Sequence, residues 1–322
     1  MLISQGPLRV SLFGGGSDLP AFLQRHDGAL LSFAINRRVY VVGHPFTHRG
    51  GILLKYSQTE DVPQSSELLH PIAREVLGRY GVNDIDIAIM SDVPAGTGLG
   101  SSSSFTVAFL AFVRHLTGHP STPENLAKEA CEIEIEVLKE PIGYQDQWAS
   151  ALGGINLLRF SGSEVSVEQL ALDHETLMAL QDNLHLVPVG GSRSAGQLLH
   201  RQGAGLTSGS DQEKATSALV ELVDKGRQAL ESDLDDLGPL LNEAWELKQR
   251  TSHSISNEVV DTAYQQGLQA GATGGKLLGA GGGGYLAFYV PREMHKDFAD
   301  AFPQRLDFAI SFDGAGVIHD SA

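Results

Sequence analysis

The sequence is poor in cysteine and in long apolar runs, and each shortage excludes a class of protein. The single cysteine, Cys131, excludes a disulfide within the chain and fits a reducing compartment. The longest clean apolar run, 105–113, is far shorter than the roughly 20 residues of a membrane-spanning helix. Residues 1–10 lack a basic region followed by an apolar stretch. We therefore expect no secretory signal, no membrane partner and a cytoplasmic location.

Basic charge is also scarce. The chain has 23 basic and 39 acidic residues, for a net charge of −16, so we expect no nucleic-acid partner. Hydrophobic residues make up 42% of the chain and charged residues 19%, which excludes a disordered protein. At roughly 150 residues per domain, the 322 residues correspond to about two domains. A change of composition near 165–180 favours a division into 1–170 and 171–322.

Glycine is the residue in excess. The 37 glycines are about 11% of the chain, against a usual fraction of roughly 7%. They cluster at 14–16, 94–100 and 274–284, in a chain whose pattern alternates short strands with helices. Because no collagen-like period explains the clusters, each is a candidate for a close approach of the backbone to another group. The alternation also predicts a last strand at 306–312.

The middle cluster joins an alternating strand at 85–89 to a helix that opens with four serines, 101–104. A helix start leaves backbone N–H groups without partners and carries partial positive charge, and glycines let an anion come close. The pattern indicates a phosphate site, although a capped helix after a tight turn would also fit. It is not a Walker A loop, because no lysine follows the last glycine, and its G-x-G-x-G spacing is not the dinucleotide-binding fingerprint.

One carboxylate falls on the apolar side of a predicted helix over 122–138. With 100° per residue, Glu134 lies in the middle of the stripe formed by Ala127, Ala130, Cys131, Val137 and Leu138. A buried carboxylate needs a partner, so we expect either a metal ion or an arginine in a structural ion pair. Twelve residues later, Asp146 opens another helical segment, where it could accept a proton from a hydroxyl or cap the helix.

The outer glycine clusters also carry charged residues. Arg9 lies on a strand that stops at 14–16, and Asp18 follows the glycines. These two residues could hold a phosphate and a hydroxyl-rich ligand, although a turn with an Asx cap explains Asp18 equally well. The run 274–284 contains Lys276 and suggests a second approach to an anion, or a crowded packing site between strands.

Together the clusters resemble those of the GHMP superfamily of kinases, the group of galactokinase, homoserine kinase and mevalonate kinase. The matching motifs are PLR at 7–9 with GGGSD at 14–18, PAGTGLGSS at 94–102, and GKLLGAGGGG at 275–284. The resemblance implies an α+β fold of two domains. An N-terminal α/β domain like domain 2 of ribosomal protein S5 (1–170) would bind ATP, and a ferredoxin-like C-terminal domain (171–322) would close the cleft.

The resemblance also implies roles for single residues. The residues that wrap the ATP phosphates would be Pro94, Gly96, Gly98, Leu99, Gly100, Ser101, Ser102 and Ser103. Mg²⁺ would be held by Ser102 and Glu134. Asp146 would be the base, or would orient the attacking hydroxyl. The substrate would be bound by Arg9, Gly15, Gly16, Asp18, Arg193, Lys248, Lys276, Gly282 and Gly283, with Arg193 as first choice for a substrate phosphate.

Within the superfamily, GGGSD, IGYQDQW at 142–148 and SRSA at 192–195 look most like the D-glycero-D-manno-heptose 7-phosphate kinases. Those enzymes phosphorylate the anomeric hydroxyl of a sugar phosphate, so the expected partner is a small sugar phosphate. Ser17, Leu19 and Trp148 depart from residues frequent in the superfamily and leave the exact sugar open. The alternatives are an L-fucokinase-like kinase of a free sugar, a non-catalytic sensor of ATP and sugar, and a nucleotide-binding oxidoreductase. The sequence carries no indication of an oligomeric state.

Overall fold

The structure, a computed structural model, describes residues 1–46, 48–190, 203–252 and 255–321. Its strands are β1 (Leu2–Phe13), β2 (Gly28–Pro45), β3 (Ile52–Lys55), β4 (Thr59–Val62), β5 (Ile85–Ser91), β6 (Ile155–Ser161), β7 (Glu164–Leu170), β8 (Leu184–Val189), β9 (Gly274–Leu277), β10 (Gly284–Tyr289) and β11 (Gly316–Asp320). Its α-helices are α1 (Pro20–Leu23), α2 (Pro71–Arg79), α3 (Ser101–Leu116), α4 (Pro123–Cys131), α5 (Gln145–Leu152), α6 (His174–Asn183), α7 (Asp211–Ser232), α8 (Leu237–Thr251), α9 (Glu258–Gln269) and α10 (His295–Ala301). A π-helical turn, Glu132–Val137, continues α4.

The first sheet is built around β2, the longest strand. Its strand order is β11-β1-β2-β5-β3-β4, and β6 and β7 extend it beside the first half of β2. β2 pairs antiparallel with β1 over most of its length, then with β6 at 28–33 and with β5 at 39–45. A register shift between Pro7 and Leu8 interrupts the β1–β2 ladder two residues before Arg9. Because β2 branches to two neighbours, the sheet is wide enough to support several helices on one face.

Helix α3 is the centre of the first core. Phe109 and Phe112 have no solvent exposure, and the Phe109 ring stacks with those of Phe105 and Phe112. The helix packs against β1, β2 and α5. Its apolar residues surround it on all sides, as in a buried helix, so the sheet fixes the position of its serine-rich N-terminus.

The second sheet has the order β8-β10-β9 and is antiparallel. Its core contains Trp245 from α8, Tyr264 from α9, Phe288 from β10 and Phe298 from α10. No helix in the described ranges is long and apolar enough to cross a membrane. The two sheets with their helices confirm the predicted two-part α+β fold class.

The first sheet also receives elements from the second predicted segment, 171–322. Strand β11 returns to the first sheet and pairs with β1, although it belongs to the segment 171–322. Helix α7 also packs on the first sheet, where a Cβ at Gly226 would lie 2.3 Å from the Phe13 ring. The strand predicted at 306–312 is wrong, because only isolated bridges from Leu306 and Ile310 form there.

Candidate active site

The loop 94–100, which precedes α3 and is called the phosphate loop below, contains three glycines in the left-handed region. Gly96, Gly98 and Gly100 have φ angles of +77°, +82° and +77°, a region that side chains rarely adopt. Gly100 is the N-cap of α3, so the first N–H groups of the helix follow directly on the loop. The Leu99 carbonyl accepts a 3.0 Å hydrogen bond from the Arg9 backbone N–H, which ties the loop to β1. The arrangement gives a rigid, positively polarised cradle for an anion.

The last glycine run packs against this loop. A Cβ at Gly98 would lie 2.6 Å from the Leu278 carbonyl oxygen, and one at Gly279 would lie 2.4 Å from the Gly98 Cα. A Cβ at Gly284 would lie 2.3 Å from the Thr97 carbonyl oxygen. The run also contains strand β9. Most of its glycines therefore serve contact between two backbones, the second of the two interpretations that the sequence allows.

Arg9 and Asp146 form a bidentate ion pair. Arg9 Nε donates to Asp146 Oδ1 at 2.7 Å and Nη2 donates to Oδ2 at 2.9 Å, while Nη1 donates to the Gly98 carbonyl at 2.6 Å. The Arg9 side chain is 5% exposed and that of Asp146 28%. Asp146 therefore does not cap its helix, and Arg9 is committed to this carboxylate rather than free for a substrate phosphate. The pair fixes the direction of the Asp146 oxygens beside the phosphate loop.

A second carboxylate, Asp18, is held by backbone donors. The Gly16 N–H donates to its Oδ1 at 3.2 Å, and the Gln145 N–H donates to its Oδ2 at 3.1 Å. A Cβ at Gly143 would lie 1.9 Å from Asp18 Oδ2, so any side chain there would displace the carboxylate. Burial raises the pKa of Asp18, and the nearby Asp146 adds to that rise against the two hydrogen bonds. A carboxylate in this setting is a strong acceptor for a hydroxyl donor.

Glu134 is buried in the π-helical turn, with 1% exposure. Its oxygens accept hydrogen bonds from Thr106 Oγ1 at 2.9 Å and from Gln147 Nε2 at 2.7 Å. These partners are neutral, and among the described residues no arginine or lysine pairs with the carboxylate. Burial raises the pKa of Glu134 to about 7. The ion pair between Glu134 and an arginine is therefore not formed. A divalent cation bound to the Glu134 carboxylate would supply the missing positive charge.

Two lysines in the same region have only carbonyl partners in the described structure. Lys248 Nζ donates to Leu277 O at 2.7 Å and to Gly279 O at 2.6 Å, and Lys276 Nζ donates to Leu12 O at 2.7 Å. Burial lowers the pKa of Lys276 to about 7, and burial and the nearby Lys276 lower that of Lys248. An anionic ligand would stabilise the charged form of both amines, because a phosphate supplies the negative charge that their surroundings lack.

These groups meet around one cavity of about 370 Å³. The predicted residues that line it are Arg9, Gly15, Gly16, Asp18, Gly96, Gly98, Gly100, Ser101, Ser102, Ser103, Glu134, Asp146, Lys248 and Lys276. Four predicted residues are not in its lining: Pro94, Leu99, Gly282 and Gly283. Gly282 instead bonds Ile255 and Asn257 through its backbone. Arg193 lies outside the described residues.

The cavity also has walls that sequence reasoning missed. His70, Pro71 and Ile72 line it from the start of α2, in a region without a recognisable motif. Ser11 and Gln145 line it as well. These two could have been found, since Ser11 shares the strand face of Arg9 at a spacing of two and Gln145 adjoins Asp146.

Comparison with known proteins agrees with this geometry. The model for the N-terminal domain of GHMP kinases matches residues 67–154, and the model for their C-terminal domain matches 219–305. D-glycero-alpha-D-manno-heptose 7-phosphate kinase of Campylobacter jejuni is 28% identical over 308 residues, covering 89% of this chain and 88% of the relative. The bifunctional fucokinase/GDP-fucose pyrophosphorylase of Arabidopsis thaliana is 27% identical over 95% of this chain, which corresponds to 31% of that longer protein.

Solved structures show the same fold. A D-glycero-D-manno-heptose 1-phosphate kinase of Bacteriodes thetaiotaomicron aligns over 100% of both chains with a TM-score of 0.82 and 23% identity. Galactokinase of Lactococcus lactis aligns over 98% of this chain and 94% of its own with a TM-score of 0.74 and 15% identity. Both domain models match in order, and the phosphate loop lines one cavity together with Asp18, Glu134 and Asp146. The chain therefore belongs to the GHMP kinases, ATP-dependent phosphotransferases that act on an alcohol group.

Proposed function

We propose that the protein transfers the γ-phosphoryl group of ATP to the anomeric hydroxyl of a sugar phosphate. The acceptor is D-glycero-D-manno-heptose 7-phosphate, and the product is the 1,7-bisphosphate, which feeds nucleotide-heptose synthesis in the cytoplasm. The observation that carries the proposal is the Asp146 carboxylate, oriented by Arg9 and lining the same cavity as the phosphate loop and Asp18. The similarity to the Campylobacter jejuni kinase supports the choice of acceptor.

The donor side of the cavity is the glycine loop with the start of α3. The N–H groups of Ser101, Ser102 and Ser103 would bind the ATP phosphates, since they begin the helix and line the cavity. Ser102 and Glu134 would hold Mg²⁺, which prefers hard oxygen ligands and needs few from the protein. Bound with ATP, Mg²⁺ would neutralise charge on the phosphate oxygens.

The acceptor side is formed by Asp18 and Asp146. Asp18 would accept a hydrogen bond from a sugar hydroxyl, while Asp146 would lie against the anomeric hydroxyl. The anomeric oxygen forms the new P–O bond, the bond from the γ-phosphorus to the bridging oxygen breaks, and ADP leaves with that electron pair. The hydroxyl proton passes to Asp146 late in the transfer. Lys248 and Lys276 would supply positive charge to the phosphates, and Arg193 remains our choice for the 7-phosphate.

An ADP-release assay tests this proposal. The purified protein is given Mg-ATP and, separately, D-glycero-D-manno-heptose 7-phosphate, mannose 6-phosphate, fucose, galactose, mevalonate or homoserine. We expect turnover with the heptose phosphate. Turnover of fucose or galactose instead would favour a kinase of free sugars, the alternative that the Arabidopsis thaliana relative supports. ATP binding without turnover of any acceptor would contradict the proposal and favour a sensor.

A further inference from the structure

Two polar side chains in the cavity wall have unused hydrogen-bonding capacity. Ser11 Oγ and Gln145 Nε2 are buried and have no hydrogen-bond partner within the described structure. Each residue is only 5% exposed, and both line the cavity. A buried polar group without a partner is unfavourable, so each one calls for a specific explanation. Two at the wall of one substrate cavity indicate a ligand that completes their hydrogen bonds.

Both residues lie beside segments that hold the Asp18 carboxylate. The Gln145 N–H donates to Asp18 Oδ2, and the Gly16 N–H donates to Oδ1. The neighbouring Gly15 approaches Ser11, because a Cβ there would lie 3.7 Å from Ser11 Oγ. The glycine turn and the start of α5 therefore bring the Asp18 carboxylate, Ser11 and Gln145 to the wall of one cavity.

The three groups differ in whether they donate or accept hydrogen bonds. Ionised Asp18 only accepts hydrogen bonds, the Gln145 Nε2 only donates, and the Ser11 hydroxyl does both. A sugar hydroxyl donates one hydrogen bond and accepts others, so neighbouring hydroxyls of one acceptor match this set. An acceptor with a single hydroxyl on an apolar chain would leave the amide and the serine buried and unpaired.

We propose that Ser11 and Gln145 are specificity-determining residues that select a polyhydroxylated acceptor by binding hydroxyls next to the phosphorylated one. The inference rests on the proposed kinase function and adds the residues that select the class of acceptor. A site built to hydrogen-bond a hydroxyl discriminates strongly against an analogue without it, because its own polar groups then stay unpaired.

The test uses Ser11→Ala and the nearly isosteric Gln145→Met in the full chain. We expect the KM for the sugar acceptor to rise about tenfold in each variant, while kcat and the KM for ATP change less than twofold. The melting temperature should not fall, since neither variant loses a hydrogen bond within the protein. Ser4→Ala is the matched control: it truncates a buried serine of the same strand whose hydroxyl donates to Ala108 O at 2.7 Å. That control should lower the melting temperature and leave the acceptor KM unchanged.

Acceptors that lack one hydroxyl identify the contact. The acceptor affinity of the wild type and of both variants is measured calorimetrically without turnover, with the sugar and its single-deoxy analogues. For one analogue the Ser11→Ala penalty should vanish, because the partner hydroxyl is already gone. An unchanged acceptor affinity in both variants would overturn the inference while the kinase function stands. Wild-type turnover of mevalonate or homoserine alone, or no binding of any sugar, would overturn both.

Discussion

Replacing Asp146 by asparagine separates the chemistry from the architecture of the site. The amide keeps the size of the carboxylate but loses its charge, its ability to take a proton and one of the two acceptors that bind Arg9. General-base catalysis contributes about 10²–10⁴-fold to a rate. Because an anomeric hydroxyl is more acidic than an ordinary alcohol, we expect the lower end of that range, a fall in kcat of about 100-fold.

The same substitution should cost stability, for a reason that the structure gives. Removing one partner of a fully buried ion pair costs about 3–5 kcal/mol, but the Asp146 side chain is 28% exposed, so water can partly replace it. We expect a loss of about 1–3 kcal/mol in the free energy of unfolding. Asp173→Ala is the control, because it removes the side-chain cap of α6 at a place that does not line the cavity.

The assay is steady-state turnover with saturating Mg-ATP and acceptor, together with denaturant unfolding of each variant. Asp146→Asn should retain ATP binding and show a lower kcat, while Asp173→Ala should lower only the free energy of unfolding. A kcat for Asp146→Asn within threefold of the wild type would refute the assignment of Asp146 as the base. Equal losses of kcat in both variants would show that instability, and not chemistry, lowers the rate.

Three further substitutions test other parts of the account. Gly98→Ala should raise the KM for ATP at least tenfold, because its Cβ would lie 2.6 Å from the Leu278 carbonyl oxygen at a φ of +82°. Gly81→Ala is the control: Gly81 also has a positive φ, +64°, but no atom lies within 4 Å of the added Cβ, so the KM for ATP should not change. Glu134→Gln should raise the Mg²⁺ concentration for half-maximal rate at least tenfold in a titration at fixed ATP, and an unchanged curve would remove it as a ligand. Burial, with the nearby His295, lowers the pKa of His185 to about 4. Between pH 6.5 and 4, His185 therefore binds a proton in the unfolded chain but not in the folded one. The free energy of unfolding falls as the pH is lowered through that window. His185→Phe should weaken this fall in melting temperature, and an equal fall in both proteins would contradict it.

The burial of Glu134 could be predicted from the sequence, but its hydrogen-bond partners could not. Helical periodicity placed the carboxylate inside, and the structure confirms its burial. The partners, Thr106 and Gln147, come from other helices, and nothing local in the sequence announces them. The periodicity also fails beyond Glu134: Val137, predicted in the apolar stripe, is 44% exposed. A π-helical turn has more residues per turn than an α-helix, so it rotates the later side chains away from the stripe.

The last glycine run shows a different limit. Its composition indicated a close approach, and the structure confirms one, but the partner is the backbone of 97–98 rather than a ligand alone. Composition cannot distinguish the two, because both need the same missing Cβ. The cavity wall at 70–72 was missed for a related reason, since it reaches the site by packing on α3, where the His70 ring contacts Phe105, and not by a motif.

The proposed reaction transfers a phosphoryl group from ATP to the anomeric oxygen of a sugar phosphate. Phosphorus NMR of the product formed from D-glycero-D-manno-heptose 7-phosphate and Mg-ATP tests it most directly. We predict a new anomeric phosphate resonance coupled to the C1 proton, with the 7-phosphate resonance retained and one ADP formed per product. A new phosphate coupled to any other ring proton, or ADP formed without a new phosphate ester, would contradict it.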